Sequence, residues 1–407
     1  MNSPQVDSRQ APPTPRPASD FVAERLDLDP RYAALREEPL SRVTMPYGGD
    51  AWLATRYEDV RTVLADPRFS RAAAVGTAAP RITPVDQQGG SLLGMDPPEH
   101  TRLRRLVAKA FTSRRVSDLR PRVQALVDDL LDQMIAAGPP ADLTAALAWP
   151  LPITVICEML GVPVDDRDTF RTWTDQLVAL SADDPQVILS ARESLDSYLA
   201  GLMAQRRAQP TDDLFGALVA ARDQGDKLSE EELVAFGVTL LVAGHETTAN
   251  QIGNFVYLLL SQRERWDRLV AEPELVPSAV EELLRFTPLE ATVGFFARIA
   301  TEDIELGGRT VRAGEAVIVQ LASANRDATV FARPDEIDFT RTENPHMAFG
   351  HGVHHCVGAP LARLELQVAL GTLVRRLPGL RLAVPADEVV FRTNRVMRAV
   401  DELPVRW

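Results

Sequence analysis

Five of the chain's eight His and Cys residues fall within eleven positions: His346, His351, His354, His355 and Cys356, in "HMAFGHGVHHCVG". Three chemistries compete for such a cluster. A structural zinc site needs four ligands converging tetrahedrally, usually as paired spacings. Consecutive residues 354, 355 and 356 cannot easily aim at one ion, and no Cys-x-x-Cys pair is present. An inert buried thiol leaves Gly350, Gly352 and Gly358 unexplained. A thiolate bound to haem iron explains more, because backbone N–H groups must approach the sulfur to hold it anionic. Glycines let the chain pass close beneath a flat macrocycle, and a helix starting just after Cys356 turns its positive end towards the sulfur. Phe349 would pack beside the sulfur and exclude water.

The elements that must position this stretch are mostly helical. "SEEELVAFGVTLLVAGHETTANQIGNFVYLLLSQ" (229–262) reads as one long helix, opened by a capping box of Ser229 and Glu232. Roughly 48 Å long at about 1.5 Å per residue, it crosses a whole domain. Ala243, Gly244, Thr247, Thr248 and Gln251 share one of its faces, and their small size leaves room for a flat cofactor. The adjacent Glu246 and Thr247 could relay protons through a local break in helix hydrogen bonding. Taken alone, a solvated acid and a back-bonded hydroxyl are the plainer reading.

Further helices are expected at 99–111, 115–138, 152–160, 166–180, 187–208, 276–286 and 358–376. "TVGFFARIATEDIELGGRTVRAGEAVIVQL" alternates and turns on Gly307-Gly308 and Ala313-Gly314, predicting short hairpins. Residues 323–350 carry no period, an unusually long irregular stretch. The reading is mainly α with small β-sheets grouped in the C-terminal half. Five prolines in the first twenty residues predict a disordered tail over 1–20, followed by a single domain over 21–407.

Composition excludes several classes. The chain is 45% hydrophobic and 25% charged, with net charge −13, which argues against nucleic acid as a partner. No apolar run approaches the ~20 residues that span a bilayer, and the opening residues lack a signal-peptide pattern, so no membrane partner and a cytoplasmic location are expected. Two cysteines cannot build a disulfide framework. Cys157 reads as core packing.

"FGHGVHHCVG" resembles the cysteine-ligand signature of the cytochrome P450 family, with Phe349, Gly350, Gly352, His354, Cys356 and Gly358 at its six fixed places. The resemblance runs from about residue 20 to the end. It implies the family's fold, a triangular helical prism with a long central helix over haem b (iron protoporphyrin IX). Cys356 is then the axial iron ligand. The segment 243–248 resembles the family's oxygen-activating acid–alcohol motif, which gives Glu246 and Thr247 catalytic roles and places Ala243 and Gly244 against the haem. By the same resemblance His100, Arg104, Arg298 and His354 hold the haem propionates, dianions that need cations.

Glu282 and Arg285 in "EELLR" resemble the family's Glu-x-x-Arg brace, a structural pair. Its usual third member, an arginine in an Asp-Arg-Phe-like stretch, is replaced in "RPDEIDF" by Glu336, so Arg333 or another nearby cation is expected to substitute.

The implied activity is a monooxygenase that inserts one atom of O2 into a C–H or C=C bond. A non-catalytic haem-thiolate sensor is the alternative, marked by loss of the acid–alcohol pair, which this chain retains. No Gly-x-Gly-x-x-Gly fingerprint is present, so NAD(P)H-derived electrons must come from outside; the resemblance implies a ferredoxin and its reductase. Eight cations and one acid between Arg102 and Arg122 read either as a solvated helix face or as a docking patch for an acidic redox partner. The substrate is expected to be a hydrophobic small molecule in an apolar pocket that includes Leu92, Val293, Phe295 and Val396, although core packing explains the same residues. The chain most resembles actinomycete tailoring oxidases of polyketides and macrolides; terpenes, fatty acids and peptides are the alternative substrates.

Overall fold

The computed structural model describes residues 13–21, 24–38, 40–85, 91–108, 111–177, 185–211, 213–223, 229–294, 296–393 and 395–407. Its axis is the helix Glu230–Leu260, capped by Ser229 through the reciprocal bonds that the sequence predicts. Apolar residues occupy nearly every side of this helix, because it is wrapped by Pro150–Leu160, Pro185–Ala208 and Ala359–Arg376. Elsewhere Val276–Phe286 and Ala359–Arg376 form as expected. The single helix predicted over 115–138 is two, Ser113–Asp118 and Arg120–Ala137. Pro121 explains the break: lacking an N–H, it suits a first helical turn but not a helix interior.

The β structure departs from the expected C-terminal grouping. A six-stranded sheet takes Arg16–Pro17, Ser41–Thr44, Asp50–Ala54 and Phe69–Ser70 from the first seventy residues, and Arg298–Ala300 and Ala316–Val319 from the second half. Trp52 pairs in parallel with Val317, Arg298 lies opposite Val317, and Phe69 lies opposite Ala300. These N-terminal strands are only two to five residues long, too short for an alternating pattern to stand out. Arg16–Pro17, inside the segment predicted to be a disordered tail, pair with Val43 and Thr44; residues 1–12 lie outside the described residues. The hairpin Ile304–Leu306/Arg309–Val311 turns on Gly307 and Gly308, both at positive φ, as the sequence predicts. Among the described residues, no helix is long and apolar enough to cross a membrane.

A buried ion cluster fixes the irregular segment before the cysteine. Glu282 and Arg285 have fully buried side chains and form two hydrogen bonds, at 2.9 and 2.7 Å. Arg285 also donates to the carbonyls of Asn325, Pro334 and Glu336. The third member is Arg341, whose Nε donates to Glu282 Oε2 at 3.0 Å, joined by Asn344 Nδ2 at 3.3 Å. Of the two alternatives left open by the sequence, the nearby cation is Arg341, while Arg333 pairs with Glu336 and Asp338 instead. Removing Arg341 leaves a buried carboxylate short of one cation. Arg341→Ala is therefore expected to destabilise the protein by about 2 kcal/mol, whereas Arg333→Ala changes stability by less than about 0.5 kcal/mol. Denaturant unfolding of the two variants measures the difference, and equal effects would refute the assignment.

Candidate active site

The loop carrying Cys356 is closed on itself by backbone bonds. Gly350 N–H donates to Met347, and Cys356 N–H to Phe349 O at 2.9 Å. Gly352 takes φ +70°, and a Cβ there would stand 2.4 Å from Leu64 O, so no other residue fits without moving the chain beneath it. Arg363 stacks over the Phe349 ring at 4.5 Å and pairs with Glu281, which also meets His346 at 3.0 Å. The N–H groups of Gly358 and Ala359, the latter the first residue of its helix, reach the Cys356 sulfur. Burial pushes the thiol up, while those N–H groups and Arg104 pull it back down.

The surface of Cys356 opens onto a cavity of about 330 Å³. Ala243, Gly244, Thr247, Thr248 and Gln251, the predicted face of the central helix, all line it, as do Phe349, Gly350, His354 and Gly358. Thr247 Oγ1 donates to Ala243 O at 3.1 Å, the back-bonded state that the plainer reading anticipates. Glu246 points elsewhere. It is buried without a partner for Oε2 among the described residues, and burial together with nearby Asp175 pushes its carboxyl up to about 7. Arg392 and Arg395 pull the other way; Arg392 lies 3.7 Å from the Asp175 carboxylate, and Arg395 donates to the Asp175 carbonyl.

His100, Arg298 and His354 converge beside the cavity with Arg71, which the sequence reading missed. Both His100 nitrogens, His354 Nε2, Arg298 Nη2 and Arg71 Nε are buried without hydrogen-bond partners among the described residues. The imidazole rings of His100 and His354 are 4.3 Å apart. Arg71 stacks on Phe296 at 4.4 Å, and neither it nor Arg298 forms an ion pair among the described residues. Burial depresses all four groups, joined by repulsion from neighbouring cations at Arg71, His100 and His354: Arg71 falls to about 9, Arg298 to about 10 and His354 to about 2. The nearby Asp96 carboxylate is occupied by the Ser70 hydroxyl and the Arg71 N–H. Arg104, the other predicted member, donates to the His355 carbonyl. A dianion is what this cluster lacks, so the residues present fit a haem bearing two propionates.

The expected pocket residues fare differently. Leu92 packs in the main hydrophobic core, and Val293 and Val396 share a second buried cluster; none lines the cavity. Phe295 lies outside the described residues. The apolar walls are instead Ile156, Leu240, Leu289, Phe296 and Val319. A second cavity of about 300 Å³, lined by Ala74, Leu93, Leu177 and Ile188 among others, shares Phe296 with the first. Among the described residues, no group of three or more His, Cys, Asp or Glu side chains could hold a metal ion.

This fold and this cation-lined cavity over a cysteine define an enzyme that works with haem iron. The model of the family described as Cytochrome P450 matches residues 186–378. The chain is 56% identical over 393 residues to nocardicin C N-oxygenase of Nocardia uniformis subsp. tsuyamanensis, covering 96% of this chain and 98% of that one. It is 51% identical over 383 residues to mycinamicin IV hydroxylase/epoxidase of Micromonospora griseorubida, covering 94% and 96%. The crystal structure of HinD with NMFT and NO superposes with a TM-score of 0.94 at 52% identity, covering 97% of this chain and all of that one. The chain belongs to the cytochrome P450 family and is a monooxygenase of that family.

Proposed function

We propose that the protein holds haem b through Cys356 and oxygenates a polyketide, in particular a macrolide, inside the cell. The observation that carries this reading is that the Cys356 sulfur and the small-residue face of the central helix line one largely apolar cavity. The relative named for mycinamicin IV hydroxylation and epoxidation supports the substrate class. Bound haem would supply an iron that activates O2 for insertion of one oxygen atom into a C–H or C=C bond. Cys356 Sγ would hold the iron, with the Gly358 and Ala359 N–H groups stabilising its charge. His100, Arg104, Arg298 and His354 would hold the propionates.

Glu246 and Thr247 move protons. The Thr247 hydroxyl stands on the cavity face, and Glu246, one residue away, faces the Asp175–Arg392–Arg395 group. Glu246 takes protons from that side and passes them to Thr247. Electrons arrive from a ferredoxin and its reductase at the face carrying Arg105, Arg114 and Arg115. These three are exposed and form no ion pair among the described residues. The helix Ser113–Asp118 that carries two of them packs on Ala359–Arg376, which starts three residues after Cys356.

The reduced, CO-treated protein should show the strongly red-shifted band of thiolate ligation, and Cys356→Ser should abolish it. Macrolides should give low- to high-spin shifts; a band that survives Cys356→Ser, or shifts with fatty acids only, overturns the respective part. With a carboxyl at about 7, Glu246 carries its proton below that pH and loses it above. Product formed per NAD(P)H consumed should therefore fall as pH rises through about 7, and Glu246→Gln should remove that limb and slow turnover by about 10²-fold. An unchanged profile would place the relay elsewhere. Arg105→Gln with Arg115→Gln should slow the first electron transfer from ferredoxin at low salt, the difference vanishing near 1 M salt, where the screening length is about 3 Å. Reduction kinetics that match wild type throughout the salt series would remove the docking face.

A further inference from the structure

One guanidinium of the buried corner stands apart from the other. Arg71 lines the cavity over Cys356, as His354 does, whereas Arg298 and His100 do not. The Arg71 backbone is well held: its N–H donates to Asp96 Oδ1 at 3.0 Å, and its carbonyl accepts from the Ala74 N–H at 3.1 Å. Asp96 is the acid that Arg71 feels, yet its second oxygen accepts from the Ser70 hydroxyl and the Ala72 N–H. That carboxylate therefore fixes the main chain of the turn and leaves the guanidinium without a paired acid.

The guanidinium itself is only partly served. Nη1 donates to the Leu93 carbonyl at 3.3 Å, and the Phe296 ring lies 4.4 Å away. Nε is buried without a partner, and Nη2 makes no hydrogen bond among the described residues. Nη2 is not closed off as Nε is, and Arg71 keeps 9% of its surface accessible on the cavity wall. Phe296 lines both cavities and Leu93 lines the second, so the guanidinium stands where the two meet. A largely buried cation with this much bonding capacity left open is costly unless an anion completes it.

We propose that Arg71 is a haem-positioning residue: its Nη2 takes a propionate oxygen, and the same guanidinium ties bound haem to Leu93 and Phe296, so that haem fixes the wall between the two cavities. This deepens the proposed function and rests on it, since it takes haem as the group bound over Cys356. It adds a residue that the family resemblance does not reach. Arg104, which the resemblance assigns, already donates to the His355 carbonyl, whereas Arg71 brings an uncommitted Nη2. A propionate is favoured over a carboxylate of the substrate because the shortage is not of one charge. Arg71 and Arg298 flank the Phe69–Ser70/Arg298–Ala300 pairing as two guanidinium groups outside any ion pair among the described residues, and a single substrate carboxylate would answer only one of them.

The test uses the ferric holoenzyme. Haem transfer to excess apomyoglobin should be about tenfold or more faster from Arg71→Gln than from the wild type, the loss of one charge-assisted bond. Arg71→Lys should fall between the two, since a point charge replaces a planar fork. The ferric–ferrous midpoint of Arg71→Gln should move to more negative values, because a cation beside the propionate favours the reduced iron. Hydrogen exchange in the segment 91–96 should quicken in that variant while residues 250–260 of the central helix stay at the wild-type rate, and both variants should keep the reduced CO band. Haem transfer and a midpoint that match the wild type overturn the proposal. Exchange that quickens equally in both segments also overturns it, by reducing Arg71 to a support of the fold. So does an affinity for decanoate that falls with Arg71→Gln while haem transfer holds, which assigns the guanidinium to a substrate carboxylate. A wild type without the CO band would instead strike at the proposed function, so the two failures are distinguishable.

Discussion

Four cationic or imidazole side chains share one buried corner and form no ion pair among the described residues: His100, His354, Arg71 and Arg298. Burial lowers the tendency of each to hold a proton, and His354 also feels repulsion from the other three. Burying even one unpaired charge costs several kcal/mol, against a net stability of about 5–15 kcal/mol for a whole domain. Such a corner is tolerable only if a dianionic ligand completes it. Ligand binding is thereby coupled to folding, because what binds the folded chain and not the unfolded one adds to stability. The sheet reflects this demand. Phe69–Ser70 pairs with Arg298–Ala300, which places Arg71 and Arg298 side by side even though 227 positions separate them in the chain. Arg298 is then tied down by one bond from Nη1 to the Phe69 carbonyl, leaving Nη2 for the anion.

The Glu282 cluster solves a different problem with the same currency of buried charge. Residues 323–350 have almost no regular hydrogen bonding, yet they deliver the cysteine loop to a fixed place. Glu282 receives hydrogen bonds from Arg285, Arg341, Asn344 and the Asp338 N–H. Through Arg285 it also holds the Asn325, Pro334 and Glu336 carbonyls. One helix turn thus gathers the irregular chain where no helix or strand ladder could. The Glu281 side chain, next along, performs the corresponding task for the cysteine loop by holding His346 and Arg363, the latter stacked on Phe349.

What the sequence makes legible follows from how far each signal reaches. The central helix, its capping box and the five-residue cavity face depend on neighbours within one or two turns, so spacing alone reveals them. The cysteine loop is partly local, since its backbone bonds span seven positions or fewer, whereas Gly352 answers to Leu64 far back in the chain. Arg341 is not local: its partner Glu282 lies 59 positions away, so the sequence offers Arg333 and its neighbours equally and only the folded chain selects Arg341. Arg71 depends on a strand pairing between the two halves of the chain. Leu92, Val293 and Val396 illustrate a further limit, because an apolar residue facing a core and one facing a ligand cavity look the same in sequence.

Burial raises three carboxyls around the cavity, and their neighbours decide what each can do. Glu365 is buried with neither oxygen bonded among the described residues, and burial alone pushes its carboxyl well above the usual carboxylate range. Glu246 is balanced by Asp175 on one side and by Arg392 and Arg395 on the other, which brings it to about 7, where a proton can be both held and released. Glu290 has a single nearby guanidinium, and that group donates to backbone carbonyls. The same desolvation therefore acts on all three, and the charged neighbours that oppose it decide which of them can both hold and release a proton.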